Sequence, residues 1–250
     1  MGKSAGGEAL RLDRYLADMG AGTRSELKKG IRAGLALVNG KVEKDPGRKV
    51  TEEDIVSFRG REISYEKYVY YMLHKPAGVI SATEDRRQKT VLDLIDEEDM
   101  RKDLFPVGRL DRDTEGLLLI TNDGELAHAL LSPARHVNKV YYAEVDGALT
   151  AEDAAAFEEG MQVEDDFRAL PARLEVLSSG PEKASALVTV REGKFHQIKR
   201  MFKARGREVT RLKRLSMGPL ALDEALLPGQ WRRLTAEEIR SLKGEQADCI

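Results

Sequence analysis

The chain of 250 residues has one cysteine, Cys249, so no intrachain disulfide can form. That fits a reducing compartment, and a cytoplasmic location is expected. One Cys and four scattered His give no zinc spacing. No apolar run approaches the thickness of a bilayer, and the opening MGKSAGGEAL has no signal-peptide core, so neither a membrane partner nor export is expected. The initial Met-Gly lacks the rest of an acylation context. Neither common glycine-rich phosphate loop is present. Asp111, Asp113, Glu115 and Gly116 imitate the start of a calcium loop, but its twelfth position is Asn122, where a bidentate Glu is needed. No metal is expected.

Neither basic nor acidic residues dominate. Forty-one Lys and Arg face 43 Asp and Glu, a net −2, which as a bulk number argues against a polyanionic partner. The distribution says otherwise. Arg191–Met217 holds ten basic residues against two acidic, and the first 63 residues hold thirteen against ten. Acids concentrate in Asp93–Asp99 and Glu152–Asp166. A basic stripe on an otherwise acidic chain reads as a directed binding face.

Residues 1–8 are small and polar and are expected to be disordered. Leu10–Phe58 reads as a small compact domain. Leu12, Tyr15, Leu16 and Met19 follow helical spacing, with Gly20 and Gly22 closing the helix. Thr23 or Ser25 would cap a second helix over Arg24–Ala33, with Leu27 and Ile31 inward. Asn39-Gly40 between Leu35–Val38 and Lys41-Val42 is a hairpin signal, and Val50 and Ile55–Phe58 supply further strand. Gly60–Lys67 reads as a linker.

Beyond it the pattern predicts a core strand over Tyr68–Leu73, a shaped turn at Pro76 and Gly78, a short helix over Thr90–Ile95 and a strand over Val107–Thr121. A helix over Gly124–Leu131 follows, then a strand over Val140–Val145 and a helix from Thr150 to Gly160. Paired strands at Leu174–Leu177 and Ser185–Arg191 lead to a helix over Phe195–Ala204 and a strand over Val209–Leu215. Thr235-Ala236-Glu237-Glu238 opens a last helix, and a polar tail ends the chain. Strands outnumber helices and the connections are mixed, which argues α+β and not a doubly wound sheet.

The informative stretch is Gly108–Gly124, GRLDRDTEGLLLITNDG. It sets Asp111 just ahead of the apolar run Leu117–Ile120, at the mouth of a buried strand, as a turn residue or a working carboxylate. Gly108-Arg109-Leu110-Asp111, Thr114, Gly116 to Leu119, Thr121, Asp123 and Gly124 together resemble the catalytic motif of pseudouridine synthases, in the rRNA branch that carries an S4-like domain. The resemblance implies that Asp111 is the catalytic residue. Lys75-Pro76-Ala77-Gly78 with Ser81 resembles an element that supports the cleft in the same enzymes. Lys139-Val140-Tyr141 resembles one whose Tyr packs on the target base, which points to Tyr141. Gly193 to Met201 resembles a third motif, whose cation pairs with the catalytic Asp. Lys199 is that cation by resemblance, with Arg200 the alternative.

The chemistry supports such a pairing, because burial alone favours a neutral carboxyl and a shielded carboxylate therefore needs a cation beside it. Helical spacing puts Ile198, Met201 and Phe202 on one face and His196, Lys199, Arg200 and Lys203 on the other. Ile198 would pack near the Tyr141 ring. The resemblance also implies that Arg109 contacts RNA near a flipped-out nucleotide, with an internal salt bridge as the alternative.

Leu12-Asp13-Tyr15-Leu16, Thr23-Arg24-Ser25 with Ile31 and Gly34, and Val38-Asn39-Gly40 with Val42 resemble the S4 RNA-binding domain. Arg11, Arg14, Arg24, Lys28, Lys29 and Arg32 are its candidate phosphate contacts. The implied architecture is α+β: an S4-like domain over 9–59, a linker over 60–67 and a catalytic domain over 68–235 with a mixed, mainly antiparallel sheet and central cleft. A helix and polar tail follow over 236–250. His196-Gln197-Ile198-Lys199-Arg200-Met201 resembles the small-subunit branch, so 16S rRNA, or a small-subunit assembly intermediate, is the expected partner, with 23S rRNA the alternative. No cofactor is expected, since isomerisation consumes nothing. A monomer is the default. An Asp111/Asp113 glycosidase pair is set aside, because strand alternation would point the two apart. A non-catalytic RNA-binding assembly protein is the rival from another class.

Overall fold

The computed structural model describes residues 9–164 and 167–245. The expectations for the N-terminal eight residues and the tail after residue 245 lie outside these. The chain divides into two compact units. One runs up to Tyr68 and takes in Glu97–Asp103; the other holds Val69–Asp96 and everything from Leu104. The excursion of Glu97–Asp103 into the first unit departs from the expectation of an unbroken second domain.

The first unit contains β1 (Leu10–Arg11), α1 (Leu12–Asp18), α2 (Arg24–Arg32), β2 (Ala36–Val38), β3 (Lys41–Glu43), β4 (Lys49–Val50), β5 (Val56–Phe58) and β6 (Arg61–Ile63). Leu12, Leu16, Leu27 and Ile31 from the two helices are fully buried with Val56. Thr23 rather than Ser25 caps α2. Its hydroxyl accepts from Glu26 N and its own N donates to the Glu26 carboxylate, the reciprocal arrangement that satisfies two helix-end donors. The four-stranded antiparallel sheet runs β3-β2-β5-β6. Asn39 and Gly40 have φ of 52° and 74°, as the tight β2–β3 hairpin requires.

The expected linker over 60–67 is partly strand, because Arg59 and Gly60 repeat that turn geometry with φ of 52° and 78° and fold β6 onto β5. Arg-Gly is not a usual hairpin dipeptide, so the sequence conceals this turn. The Tyr15 hydroxyl donates to Ile63 O at 2.8 Å, which ties β6 to α1.

The second unit is built on a nine-stranded sheet. Its strands are β7 (Tyr70–Lys75), β8 (Phe105–Pro106), β9 (Glu115–Thr121), β10 (Lys139–Asp146), β13 (Arg173–Ser179), β14 (Lys183–Val190), β15 (Val209–Met217), β16 (Leu220–Ala221) and β17 (Trp231–Arg233). A separate ribbon joins β11 (Gln162–Glu164) and β12 (Phe167–Arg168). The main order is β13-β14-β10-β15-β9-β7-β17, with β16 on β15 and β8 on β9. Every strand pairing in it is antiparallel except β15 with β9. This is the mixed, mainly antiparallel sheet expected.

Among the described residues, four helices accompany it: α3 (Gly124–Leu131), α4 (Ala151–Glu159), α5 (Gln197–Ala204) and α6 (Ala236–Lys243). Phe157 of α4 meets Phe202 of α5 at 5.0 Å between ring centroids, in a core shared with Ala143, Val145 and Val188 of the sheet. Ile198, Met201 and Phe202 are all buried, so α5 anchors by the face its spacing predicts.

The parallel junction explains a glycine of the Asp111 motif. Gly116 lies opposite Arg214 with φ of 104°, and a Cβ there would stand 2.2 Å from Arg214 O and 2.6 Å from its N. Only glycine permits that approach.

Three element boundaries differ in ways that matter. The strand expected from Val107 begins at Glu115, so residues 107–114 are loop and Asp111 sits on a turn. The helix expected from Phe195 begins at Gln197, because His196 is left-handed with φ of 50°. The helix expected over Thr90–Ile95 shrinks to a single 3₁₀ turn, Leu92–Leu94.

Candidate active site

The loop carrying Asp111 is shaped from below by Lys75, at the end of β7. This side chain is wholly buried, and its ammonium donates to Pro76 O at 3.0 Å, Arg112 O at 3.2 Å and Thr114 O at 2.8 Å. Three carbonyls use all three of its donors. Burial pushes the Lys75 amine down to about 8, against the opposing pull of Asp113, Asp111 and Glu115. Ser81 fastens the other side of the loop: its hydroxyl donates to Leu110 O at 2.9 Å and accepts from Leu110 N at 3.0 Å. Gly78 N donates to Arg112 O at 2.7 Å. The Lys75–Ser81 element thus clamps both flanks of Asp111.

Asp111 is one-quarter exposed. Its Oδ1 lies 3.5 Å from His196 Nε2 and its Oδ2 3.6 Å from Lys199 Nζ. Lys199 makes a shorter contact, 2.5 Å, with Asp113 Oδ1. The two carboxylates therefore share one cation, contrary to the expectation that they point apart. The reason is the turn: Thr114 N donates to Asp111 O at 3.1 Å, and no strand alternation applies across it. Burial pushes the Asp113 carboxyl up, but the hydrogen bond and charge of Lys199 outweigh it and hold the group below the usual carboxylate range.

Asp111, Arg109, Tyr141, His196, Ile198 and Leu212 line one pocket. Tyr141 is half-buried on β10, opposite Arg214 of β15, and packs on the core that holds Ile198. Arg214 is itself buried and donates from Nε to Leu117 O at 2.7 Å, bracing β9 behind the loop.

Other expected residues are not brought into the pocket. Arg200 lies over the Phe167 ring at 4.5 Å and donates from Nη1 to Phe195 O at 3.3 Å. Lys203 is exposed on α5. In the first unit, Arg11 grips the buried carboxylate of Asp13 through two 3.0 Å bonds, with Lys28 3.9 Å away, and Arg14 pairs with Asp18 at 3.3 Å. Arg24, Lys29 and Arg32 are exposed and make no ion pair among the described residues.

Sequence reasoning misses the roles of Asp113, Arg214 and Gln197. Gln197 is buried; its Oε1 accepts from Lys194 N at 3.1 Å and its Nε2 donates to Glu192 at 2.9 Å, which fixes the loop before α5. A Gln inside a basic run, where a surface helix would tolerate anything polar, is the available signal.

A carboxylate and a tyrosine in one pocket, with a lysine at 3.6 Å from the carboxylate, define a site for nucleophilic or acid–base chemistry, borne by a chain whose first unit presents exposed cations. Comparison with known proteins gives the class its family. Residues 69–204 match the RNA pseudouridylate synthase family and residues 10–56 match the S4 domain. An uncharacterised RNA pseudouridine synthase of Bacillus subtilis is 46% identical, over 95% of this chain and 100% of its own. A ribosomal small subunit pseudouridine synthase A of Vibrio cholerae is 40% identical, over 93% and 99%. A ribosomal large subunit pseudouridine synthase B of Bacillus subtilis is 38% identical, over 93% and 95%. The crystal structure of a pseudouridylate synthase superposes with a TM-score of 0.65 at 34% identity, over 93% of this chain and 99% of that one. The chain belongs to the RNA pseudouridylate synthase family and carries an S4 domain.

No helix among the described residues is long and apolar enough to cross a membrane.

Proposed function

We propose that this enzyme converts a uridine of 16S rRNA to pseudouridine, with Asp111 as its catalytic carboxylate. The observation that carries the reading is the Asp111–Lys199 pair at 3.6 Å, whose carboxylate lines a pocket together with Tyr141. The target uridine leaves its stack to enter that pocket. Its bond from C1′ to N1 breaks, and positive charge develops on the ribose. The Asp111 carboxylate stabilises that charge, electrostatically or by bonding to the sugar. The freed uracil turns and bonds to C1′ through C5. The proton on C5 is then lost, with the Tyr141 hydroxyl assisting, and N1 gains one. Atoms and charge balance within the nucleotide, so no cofactor is consumed. Lys199 sets a positive charge 3.6 Å from the Asp111 carboxylate, while Ile198 and the Tyr141 ring hold the base. His196 and Arg109, at the rim, meet the neighbouring nucleotides. Arg200, Lys203 and the cations of the S4 domain contact phosphates.

The small-subunit target is favoured by the Vibrio cholerae relative and by the run His196–Met201. The large-subunit relative at 38% identity keeps 23S rRNA as the second reading. The enzyme acts as a monomer in the cytoplasm, on free rRNA or a small-subunit assembly intermediate.

Pseudouridine mapping on 16S and 23S rRNA from cells lacking the gene tests this. Loss of one 16S site, restored by the wild type and not by Asp111→Asn, is the expected result. A lost 23S site would keep the chemistry and overturn the target. No lost site would leave a non-catalytic RNA-binding role.

A further inference from the structure

Phe195 is 73% exposed, more than any other large apolar residue described. Its ring is nonetheless held by its neighbour. It stacks on His196 with centroids 3.7 Å apart and planes 20° apart. His196 in turn reaches Asp111, 3.5 Å from Nε2 to Oδ1. A ladder of two rings therefore leads outward from the reactive carboxylate. Its inner rung touches the pocket, and its outer rung ends in solvent.

The segment that carries these rings is built to hold them. His196 adopts a left-handed conformation at φ 50°, an uncommon state for a residue with a side chain. Strain of this kind persists where surrounding contacts over-determine it, and it concentrates at functional sites. Here the contacts are visible. Gln197 ties Lys194 N to Glu192, and Arg200 donates to Phe195 O. An exposed phenyl ring on a braced loop is a costly feature to keep without a partner, since it leaves apolar surface in water.

The partner is marked by its surroundings. Lys194 and Lys203 are exposed cations on the same short stretch of chain, and Arg109 lines the adjoining pocket. A planar, uncharged face amid cations fits one unit of a polyanion whose units carry aromatic rings. Extruding the target uridine also strips one stacking face from the base beside it, which then needs a new planar neighbour.

We propose that the outer face of Phe195 stacks on the base next to the target uridine, making a three-layer ladder of base, Phe195 and His196. This rests on the proposed action on an RNA uridine at Asp111. Phe195 is then a positioning residue: it holds the strand beside the pocket and takes no part in bond changes. Stacking reads planarity and not base edges, so any sequence preference here is for a purine over a pyrimidine.

The test is steady-state kinetics of wild type, Phe195→Ala, Phe195→Leu and Phe195→Trp on a substrate RNA, and on the same RNA with each flanking nucleotide made abasic in turn. Phe195→Ala and Phe195→Leu are expected to raise KM roughly 5- to 100-fold with kcat little changed, from the usual worth of base–aromatic stacking. Phe195→Trp keeps the wild-type KM. On the RNA abasic at the stacking position, wild type and Phe195→Ala converge. The proposal is overturned if Phe195→Leu matches wild type, or if the Phe195→Ala defect persists on every abasic RNA. A parallel titration in the Asp111→Asn background, with 2-aminopurine beside the target position, reads stacking without turnover. Quenching that is present with Phe195 intact and lost in the Phe195→Leu variant supports the ladder even where wild type makes no pseudouridine, an outcome that would overturn the proposed activity alone. Equal quenching by both overturns the ladder.

Discussion

The ammonium of Lys75 hydrogen bonds to the carbonyl of Thr114 at 2.8 Å, joining the end of one strand to the end of the loop that presents Asp111. The same group takes Arg112 O, so two of the three residues after Asp111 hang from one buried cation.

Lys75→Met is expected to cost about 2–4 kcal/mol of stability, because it strands the buried Thr114 carbonyl and loosens those of Pro76 and Arg112, and to lower turnover by misplacing Asp111. The group also has a pH signature. Its pKa is about 8 when folded and 10.5 in its ordinary state, so between these values the unfolded chain binds more protons and this contribution to stability rises with pH. Below about pH 8 the amine is charged in both states and its contribution is flat. Denaturant unfolding at about pH 7 and about pH 10, for wild type and variant, checks it. The wild-type advantage should be larger at the higher pH.

Asp111→Asn should lower turnover on the order of 10³-fold with RNA affinity nearly intact. Lys199→Met should slow the reaction about 10²-fold by leaving Asp111 without its cation. Asp113→Asn frees Lys199 from its 2.5 Å contact and should change the rate by less than about 10-fold. Single-turnover rates on one RNA rank the three. An Asp113 variant as slow as the Asp111 variant would reverse their roles.

Gly116→Ala places a methyl group against the Arg214 backbone at a left-handed position. A loss of about 3 kcal/mol or more is expected, together with activity, since the junction of β9 and β15 cannot move apart without carrying the Asp111 loop with it. Urea denaturation followed by circular dichroism measures it.

Replacing Arg24, Lys29 and Arg32 together by Ala should flatten the dependence of log K on log salt by about 2, near 0.7 per phosphate contact for a single strand. Arg11→Ala should leave the slope nearly unchanged, because that guanidinium is already bound to Asp13. RNA binding titrated across several salt concentrations distinguishes the two.

Periodicity makes much of the fold legible. The buried face of α5, the Thr23 cap and the Asn39-Gly40 hairpin all follow local rules, and the structure has each of them. The hairpin at Arg59-Gly60 follows the same geometry with an unusual first residue, so it reads as linker. Other features depend on contacts distant in sequence. Nothing near Lys75 announces that it will be buried under carbonyls 37 and 39 residues away. The position of Asp113 beside Lys199 depends on a turn that an apolar run conceals, and the left-handed His196 on bonds made by Gln197. The pairing of β9 with β15 joins segments almost a hundred residues apart, and neither carries a local sign of the other.

That pairing also orders events in time. Parallel neighbours cannot be joined by a tight turn, and closing so long a loop is slow. During synthesis the Asp111 loop leaves the ribosome well before Lys199 and β15 do. A nascent chain that stops short of Met217 holds the carboxylate without the strand that braces it. The Asp111 loop therefore acquires its bracing strand only after most of the chain has been made.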